Sequence, residues 1–253
     1  MLRTRIIPTL LLRGESLVKT VQFDKFGYIG DPVNTCRIFN ELEVDELAFL
    51  DITASVEKRE PNLKILQEIA NECFMPLSYG GGIRSVDSAE RILGIGFEKV
   101  IFNTYPFENP GIISETAKAF GSQSVIIAID VKRSFWGKYE VYSLSGSVNR
   151  RKSPVEWAKE IEDLGAGEIL LTSIDREGTW KGFDIELTRQ VADTVSIPVI
   201  AHGGAGTVGH IGDVVKNGHA SAVALGSMVV YQARGMGVLV NFPDKEDLEE
   251  VLP

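Results

Sequence analysis

Short apolar runs alternate with longer amphipathic stretches along the whole of this chain. Eight of the runs are rich in β-branched and aliphatic residues, a composition that favours strands. They span residues 5–11, 46–50, 76–79, 99–102, 125–130, 168–172, 198–201 and 222–225. A stretch with helical periodicity follows each run; residues 154–164, for example, place their apolar side chains on one face behind Pro154, which suits a first turn. The alternation predicts βα units and a parallel sheet.

The two halves of the sequence repeat each other. At one constant separation, Glu46-Leu47 recurs as Glu168-Ile169, Pro76-Leu-Ser-Tyr-Gly-Gly-Gly recurs as Pro198-Val-Ile-Ala-His-Gly-Gly, and Gly96 recurs as Gly218. Two similar halves, about 1–120 and 121–253, predict one closed (βα)8 barrel domain of the α/β class over residues 1–253. An open doubly wound sheet gives no reason for this symmetry. Residues 136–149 are predicted to form a hairpin lying over the barrel mouth.

Composition excludes several classes of protein. The chain has 253 residues, 44% of them hydrophobic, and its net charge of −9 argues against a nucleic-acid partner, which needs clustered Lys and Arg. Cys36 and Cys73 lie far apart in sequence, so neither a disulfide framework nor a zinc site is indicated. No apolar run reaches the roughly 18 residues that a membrane span needs, and residues 6–12 are interpreted as a strand rather than a leader. We expect a cytoplasmic protein with no membrane partner and no metal.

Two glycine clusters stand where ligands of such barrels bind, at the carboxyl ends of the strands. Gly80-Gly81-Gly82 follows the third strand, and Gly203-Gly204-Ala205-Gly206 follows the seventh. Bare backbone N–H groups in such turns approach a phosphate closely. Tight turns alone explain one cluster equally well, but two at symmetric positions favour phosphate binding.

Polar residues after the fourth and eighth strands complete two phosphate cradles. We call them the first cradle (Gly81, Gly82, Asn103, Thr104) and the second cradle (Gly203, Gly204, Gly226, Ser227). They predict a small ligand with a phosphate at each end. Residues 204–209 also match the dinucleotide pattern GxGxxG, but no acidic residue ends the next strand to hold a ribose, so no cofactor is expected.

Three aspartates are candidates for acid–base chemistry at the same end of the barrel. Asp130 ends the fifth predicted strand, Asp51 follows the second, and Asp175 lies beyond the sixth. Each could instead hold a loop by hydrogen bonds, and for Asp51 and Asp175 both interpretations stay open. Asp130 is the favoured catalytic group. Its counterpart in the other half is Leu11, so the sequence offers no paired carboxylate across the barrel. His202 is either a ligand contact or a hydrogen-bonded filler.

Charged residues open four of the strands at the opposite end. Arg5, Glu46, Lys99 and Glu168 alternate in sign and are expected to converge into a ring. Such a ring either contributes only to stability or acts as a gate.

Several longer runs are similar to those of one known family. They are Phe49-Leu-Asp51-Ile-Thr-Ala-Ser-Val-Glu-Lys-Arg59, Gly80-Gly-Gly-Ile83, Glu108-Asn-Pro110, Phe120-Gly-Ser-Gln-Ser124, Ala128-Ile-Asp130 and Gly165-Ala-Gly-Glu-Ile-Leu-Leu-Thr-Ser-Ile-Asp-Arg176. Through them, and over nearly the whole chain to about residue 230, the sequence resembles HisF, the cyclase subunit of imidazole glycerol phosphate synthase, a barrel of the ribulose-phosphate-binding type.

This resemblance implies a partner and further site residues. In the family, a HisH-like glutaminase docks on the N-terminal face of the barrel, and ammonia passes up the barrel to the site. The ring of Arg5, Glu46, Lys99 and Glu168 matches the family's gate. Lys19 matches a lysine of its mobile first loop, and Thr172, Gly178 and Asp51 are implied contacts of the phosphate-bearing ligand.

The sequence also differs from the family at positions that carry its chemistry. The family uses two aspartates, and this chain keeps Asp130 but has Leu11 at the other position. A positioned acid or base is worth roughly 10²- to 10⁴-fold in rate, so cyclase activity is expected to be badly impaired. His202 replaces a small hydroxyl residue, and Glu177 replaces an aspartate. These features and the tail 235–243 resemble the WbuZ branch, whose members are thought to pair with a HisH-like glutaminase and supply ammonia to an N-acetyl sugar amidotransferase.

Three functions remain open at this point. The chain is an ammonia-receiving subunit of a sugar amidation system in surface polysaccharide synthesis, or an authentic cyclase (a lyase) of histidine biosynthesis that uses another group in place of Leu11. The third alternative is a barrel that only binds phosphate ligands and regulates the glutaminase. Whether the chain is itself an enzyme stays undecided.

Overall fold

Eight parallel strands close into a ring in the computed structural model, which describes residues 4–253. In chain order the strands are β1 Arg5–Arg13, β2 Ser16–Val21, β3 Asp24–Gly30, β4 Leu47–Asp51, β5 Leu77–Gly80, β6 Lys99–Phe102, β7 Val125–Arg133, β8 Tyr139–Ser143, β9 Val148–Asn149, β10 Glu168–Ser173, β11 Val199–His202 and β12 Ala222–Leu225. The ring runs β1-β4-β5-β6-β7-β10-β11-β12, and the pairing of β12 with β1 closes it. The predicted (βα)8 barrel is confirmed.

Helices cover the outside of this ring. They are α1 Pro32–Glu41, α2 Leu63–Glu72, α3 Val86–Ile95, α4 Gly111–Phe120, α5 Pro154–Asp163, α6 Ile185–Ala192, α7 Val208–Gly218, α8 Ser227–Val230 and α9 Lys245–Val251. Corresponding helices of the two halves begin alike: Ser85 caps α3 at φ −149° and ψ 160°, and Thr207 caps α7 at φ −147° and ψ 160°. Among the described residues, no helix combines the length and apolar character needed to cross a bilayer.

Two strands are longer than the sequence predicted because they continue into antiparallel hairpins. β1 turns back into β2, which pairs with β3, so a hairpin and not a helix follows the first strand. β7 runs past Asp130 to Arg133, which pairs with Tyr139 of β8. The expectation that Asp130 is the last residue of its strand is therefore wrong. The predicted hairpin within 136–149 is present, and Ser145 Oγ donates to the carbonyl oxygen of Ile52 at 2.6 Å, across the barrel mouth.

Strand alternation divides the buried residues into two sets. One position in two faces the helices and belongs to the large core between sheet and helices. The other positions fill the barrel interior with small and aliphatic side chains, namely Ile7, Ala48, Ile101, Ile126, Ala128, Leu170, Ile200, Ala222 and Ala224. Charged side chains close this interior at the amino ends of the strands, and polar side chains line it at the carboxyl ends. The register thus places the predicted ring and the predicted ligand site at opposite ends of one apolar column.

Candidate ligand site at the barrel mouth

A cavity opens at the carboxyl ends of the strands. It contains about 930 Å³ of empty space, counting the part that opens to solvent. Its lining includes Leu11, Thr20, Phe23, Leu50, Asp51, Gly81, Gly82, Asn103, Thr104, Asp130, Thr172, Glu177 and His202. Residues distant in sequence meet in this cavity. They come from the β2–β3 hairpin and from the carboxyl ends of seven strands, namely β1, β4, β5, β6, β7, β10 and β11.

The glycines of the first cradle present bare backbone to this cavity. Gly81 and Gly82 have φ values of +128° and +72°, in the region that glycine adopts without strain. A Cβ at Gly81 would lie 2.6 Å from the carbonyl oxygen of Asp51, and one at Gly82 would lie 2.5 Å from that of Arg59. No larger residue fits either position, and helix α3 begins four residues further on.

Asn103, one of the two polar members of the first cradle, orients the candidate catalytic carboxylate. Its side-chain amide donates to the carbonyl oxygen of Ala128 at 3.0 Å and to Oδ2 of Asp130 at 3.2 Å. Thr104 donates to Asn103 Oδ1 at 3.2 Å, and its hydroxyl accepts from the backbone N–H of Leu144 in the hairpin.

Asp130 is buried and forms no ion pair with a described residue. Burial raises the pKa of Asp130 to about 7, and a hydrogen bond from Thr172 opposes part of that rise. The Thr172 hydroxyl also lies 3.1 Å from Nδ1 of His202. A carboxyl that titrates near neutral pH can accept and return a proton there.

The other two candidate aspartates hold loops. The Asp51 carboxylate accepts from the backbone N–H groups of Thr53 at 3.1 Å and Ala54 at 3.0 Å, and it pairs with both terminal nitrogens of Arg59 at 3.0 Å. Asp175 accepts from the backbone N–H of Arg133 at 2.7 Å. Both carboxylates thus accept hydrogen bonds from the backbone, and Asp51 also lies on the cavity wall.

The second cradle lines a smaller, adjoining cavity of about 240 Å³. Gly178, Gly203, Gly204, Gly226 and Ser227 contribute to its wall, together with Lys19, Glu177 and His202. Lys19 Nζ bonds to Glu177 Oε1, and Glu177 Oε2 accepts from the backbone N–H of Phe23 at 3.1 Å. Lys19 was expected in a loop and instead lies in strand β2, where it is 5% exposed.

His202 lies between the two cavities. Burial lowers the pKa of His202 to about 4, and the nearby Lys19 ammonium lowers it further than the Glu177 carboxylate raises it. The imidazole is therefore neutral at physiological pH.

The four charged residues at the opposite end form a closed cycle of ion pairs. Arg5 lies 2.7 Å from Glu46 and 3.1 Å from Glu168, and Lys99 lies 3.2 Å from Glu46 and 3.1 Å from Glu168. Each cation thus touches both anions.

A model of the histidine biosynthesis protein family matches residues 5–234. The chain belongs to this family. One relative, the imidazole glycerol phosphate synthase subunit hisF2 of Pseudomonas aeruginosa, is 47% identical over 249 residues, or 98% of this chain and 99% of that protein. The HisF subunit of Leptospira borgpetersenii is 47% identical over 254 residues, covering 100% of both. The hisF3 subunit of Vibrio vulnificus is 42% identical over 253 residues, or 100% of this chain and 97% of that protein. All three carry these names provisionally.

Because the chain is HisF-like, the carboxylates on the cavity wall near Leu11 are of particular interest. Leu11 lies on the cavity wall, opposite the Asp130 region of the mouth, and is 7% exposed. Besides Asp130, the described carboxylates on that wall are Asp51 and Glu177, and each is ion-paired to a cation.

Three features of this HisF-like site were absent from the sequence interpretation. The Lys19–Glu177 pair joins residues 158 positions apart, and neither local pattern nor repeat symmetry relates them. Thr20 and Phe23 reach the cavity because a hairpin follows β1. The available signal for that hairpin was the content of β-branched residues in this segment, namely Val18, Thr20 and Val21.

Proposed function

We propose that this HisF-like chain is the synthase subunit of a glutamine amidotransferase pair. It receives ammonia from a HisH-like glutaminase through the barrel and serves N-acetyl sugar amidation in surface polysaccharide synthesis. The observation that carries the proposal is the combination of a complete ion-pair cycle at one end of the barrel with an incomplete acid–base pair at the other. Asp130 is present, Leu11 stands where the second aspartate belongs, and no free carboxylate of the described residues replaces it.

The barrel interior supports passage of ammonia. Its middle layers consist of alanine and aliphatic side chains such as Ile7, Ala48 and Ala224. A neutral molecule crosses such a column without the desolvation penalty that an ammonium ion would meet. The ion-pair cycle covers the amino end of the column, where the family's gate lies.

The N-terminal face carries exposed apolar side chains that suit a protein partner. Phe74, in the connection that leads into β5, is 88% exposed, and Ile38 and Leu42, near the end of α1, are 39% and 37% exposed. Asn40 ties the two segments together by accepting from the backbone N–H of Phe74 at 3.1 Å. Large exposed aromatic and aliphatic groups are typical of interface centres, and these lie at the same end as the ion-pair cycle.

The experiment is reconstitution with a HisH-like glutaminase. We expect the chain to bind the glutaminase and to stimulate glutamine hydrolysis, but not to turn over the histidine-pathway ribonucleotide, even with ammonium salt. Leu11→Asp is the matched variant, and it should increase any residual turnover. Robust turnover by the parent chain would contradict the proposal.

The second candidate is an authentic cyclase subunit of histidine biosynthesis. The names of the relatives and the raised pKa of Asp130 favour it. Restored growth of a histidine auxotroph that lacks its own HisF would establish this function. A purely regulatory barrel is distinguished by blocking the interior with a bulky side chain, for example Ala224→Phe, which should then leave product yield unchanged.

A further inference from the structure

The two cysteines of the chain, far apart in sequence, meet between helices α1 and α2. Cys36 lies within α1, and Cys73 is the residue at which α2 ends. Both are free thiols, and the thiol of Cys36 donates a hydrogen bond to the sulfur of Cys73. Neither residue lines the cavities at the barrel mouth, so the proposed function makes no use of the pair.

Hydrogen bonds beside the pair hold the same two segments together. The side-chain amide of Asn40 donates to the carbonyl oxygen of Glu72 at 2.5 Å, and its Oδ1 accepts from the backbone N–H of Phe74 at 3.1 Å. Asn40 follows Cys36 by four residues and therefore shares its face of α1. Cys73 stands between Glu72 and Phe74 in the chain. The proximity of the two thiols thus follows from these contacts as well as from their own hydrogen bond.

The internal repeat shows that packing alone does not require sulfur at these positions. At the separation that relates the two halves, Cys36 corresponds to Ala158 of α5, and Cys73 corresponds to Val195 after α6. Ala158 is buried in the core, and Val195 packs against it. Inert apolar side chains therefore fill the equivalent place between α5 and α6. The pair of thiols adds a reactivity that the other half of the barrel lacks at this place.

The two thiols differ in exposure and in acidity. Cys36 is fully buried, whereas Cys73 is half-buried. The hydrogen bond from Cys36 lowers the pKa of Cys73, and the same hydrogen bond together with burial raises the pKa of Cys36. The thiolate is the form that attacks a peroxide. Cys73 is therefore the first to react, and Cys36 remains beside it as a thiol.

The backbone at Cys73 suits a bond to Cys36. A disulfide needs about 3.5 to 4.5 Å between the two Cβ atoms and a dihedral angle near 90° about the sulfur–sulfur bond. Cys73 has left the helix, with φ −102° and ψ 129°. Its side chain can therefore reorient without disturbing the hydrogen bonds within α2.

We infer that Cys36 and Cys73 are a redox-active pair, which hydrogen peroxide joins into a disulfide between α1 and the connection after α2. The Cys73 thiolate attacks one peroxide oxygen, and the O–O bond breaks to give a sulfenic acid and hydroxide, which takes up a proton to become water. The sulfur of Cys36 then attacks the sulfenic sulfur. The S–S bond forms, the S–O bond breaks, and a second water leaves with the proton of the Cys36 thiol. Two electrons pass from the thiols to the peroxide, and a dithiol reductant reverses the change by thiol–disulfide exchange.

This disulfide has a consequence for the N-terminal face of the barrel. Phe74, which is 88% exposed, follows Cys73 directly. The new bond ties the connection that presents Phe74 covalently to α1, so this connection loses conformational freedom. An effect of the bond on the docking of a glutaminase rests on the proposed function, whereas the disulfide itself does not.

Oxidation of the reduced full-length chain tests the inference. The chain is treated with a low molar excess of hydrogen peroxide, unfolded, alkylated with iodoacetamide and digested for mass spectrometry. We expect both cysteines to be alkylated before oxidation and neither afterwards, with the Cys36 and Cys73 peptides joined within one chain, and dithiothreitol should restore alkylation. The inference is overturned if Cys73 only gains oxygen, if disulfides form only between chains, or if both thiols are still alkylated.

The matched variants copy the other half of the barrel, Cys36→Ala and Cys73→Val. In Cys36→Ala, the sulfenic acid of Cys73 has no thiol partner, so dimedone should trap it. In Cys73→Val, the buried Cys36 should react with peroxide about tenfold more slowly than Cys73 does in the first variant. Equal rates in the two variants would contradict the assigned order of reaction. Near-ultraviolet circular dichroism verifies that each variant is folded.

Amide hydrogen exchange measures the structural consequence separately. In the oxidised chain, exchange at Phe74 should slow by about tenfold, because local opening of this connection is restricted. Exchange in residues 194–197, the equivalent connection of the other half, should not change. Unchanged exchange at Phe74 would contradict the effect on the N-terminal face.

None of these measurements needs a glutaminase. Failed coupling to a glutaminase therefore counts against the proposed function alone, and failure to form the disulfide counts against the redox-active pair alone.

Discussion

Asp130 is the buried carboxylate of the barrel mouth that no described cation neutralises. Its pKa rises from an ordinary 3.8 to about 7 because burial disfavours the charged form. The protonated Asp130 carboxyl therefore contributes to the free energy of unfolding. This contribution is complete below about pH 4 and is lost as the pH rises through 7.

Asp130→Asn stays neutral throughout this range. We expect the variant to be more stable than the parent above pH 7, by on the order of 2 to 4 kcal/mol, with the difference vanishing near pH 4. Urea unfolding of both proteins at several pH values measures this. Asp87→Asn, an exposed carboxylate that pairs with Arg91 on α3, is the control. A stability difference for Asp130→Asn that does not change with pH would refute the assignment.

The local sequence predicts the position of Asp130 at the barrel mouth, but it does not predict the ion pair that Glu177 forms. The position of Asp130 near a strand end follows from the apolar run before it, so its place at the mouth is predictable. The partner of Glu177 is 158 residues away in a hairpin, and only the closed ring brings β2 beside the loop after β10. Pairings of this kind depend on tertiary structure and have no local signature.

The loop after β4 shows how one side chain can hold an element. Asp51 accepts from two backbone N–H groups of this loop and from Arg59 at its end. Asp51→Asn removes the anion that pairs with the terminal nitrogens of Arg59, whose Nε keeps its pair with Glu57 at 2.7 Å. We therefore expect the free energy of unfolding to fall by about 1 to 3 kcal/mol. Amide hydrogen exchange in residues 52–59 should accelerate, while exchange in β10 should not.

The matched control for this loop is Arg91→Gln. It breaks an exposed ion pair with Asp87 in α3, and such pairs contribute only about 0.3 to 0.5 kcal/mol. If the two variants lost equal free energy of unfolding, the proposed role of Asp51 in stabilising the loop after β4 would be contradicted.

The barrel elements themselves were predictable because alternation, glycine turns and internal repetition agree with one another. All eight strands of the ring lie within a few residues of their predicted bounds. The β2–β3 hairpin was missed, although residues 16–30 are rich in the β-branched and aromatic residues that favour strands, such as Val18, Val21, Phe26 and Tyr28. Extension of β7 past Asp130 was missed because Lys132 and Arg133 are polar and pair only with a hairpin partner.

The ion-pair cycle and the mouth must act together if ammonia crosses the barrel. Lys99→Ala removes one cation but leaves Arg5 bonded to both Glu46 and Glu168. We expect the variant to fold, with a melting temperature within a few degrees of the parent. The ratio of product formed to glutamine hydrolysed should change. Without Lys99, the amino end of the barrel interior is less completely covered, and the two carboxylates Glu46 and Glu168 are paired with only one cation.

The measurement is that ratio in the reconstituted pair, with added ammonium salt as the reference that bypasses the column. Lys64→Ala, which breaks an exposed pair with Glu68 in α2, is the control. An unchanged ratio in Lys99→Ala would show that the cycle only stabilises the barrel.

The cycle of Arg5, Glu46, Lys99 and Glu168 has a consequence for whatever covers it. A protein seated on that face removes water, and the attraction between opposite charges grows as the local dielectric constant falls. Docking by itself therefore strengthens the ion pairs of the cycle and does not open it. To open the cycle, a partner must offer its own carbonyl or hydroxyl groups to Arg5 and Lys99. These oxygens would replace those of Glu46 and Glu168, so that neither buried cation is left without a hydrogen-bond acceptor.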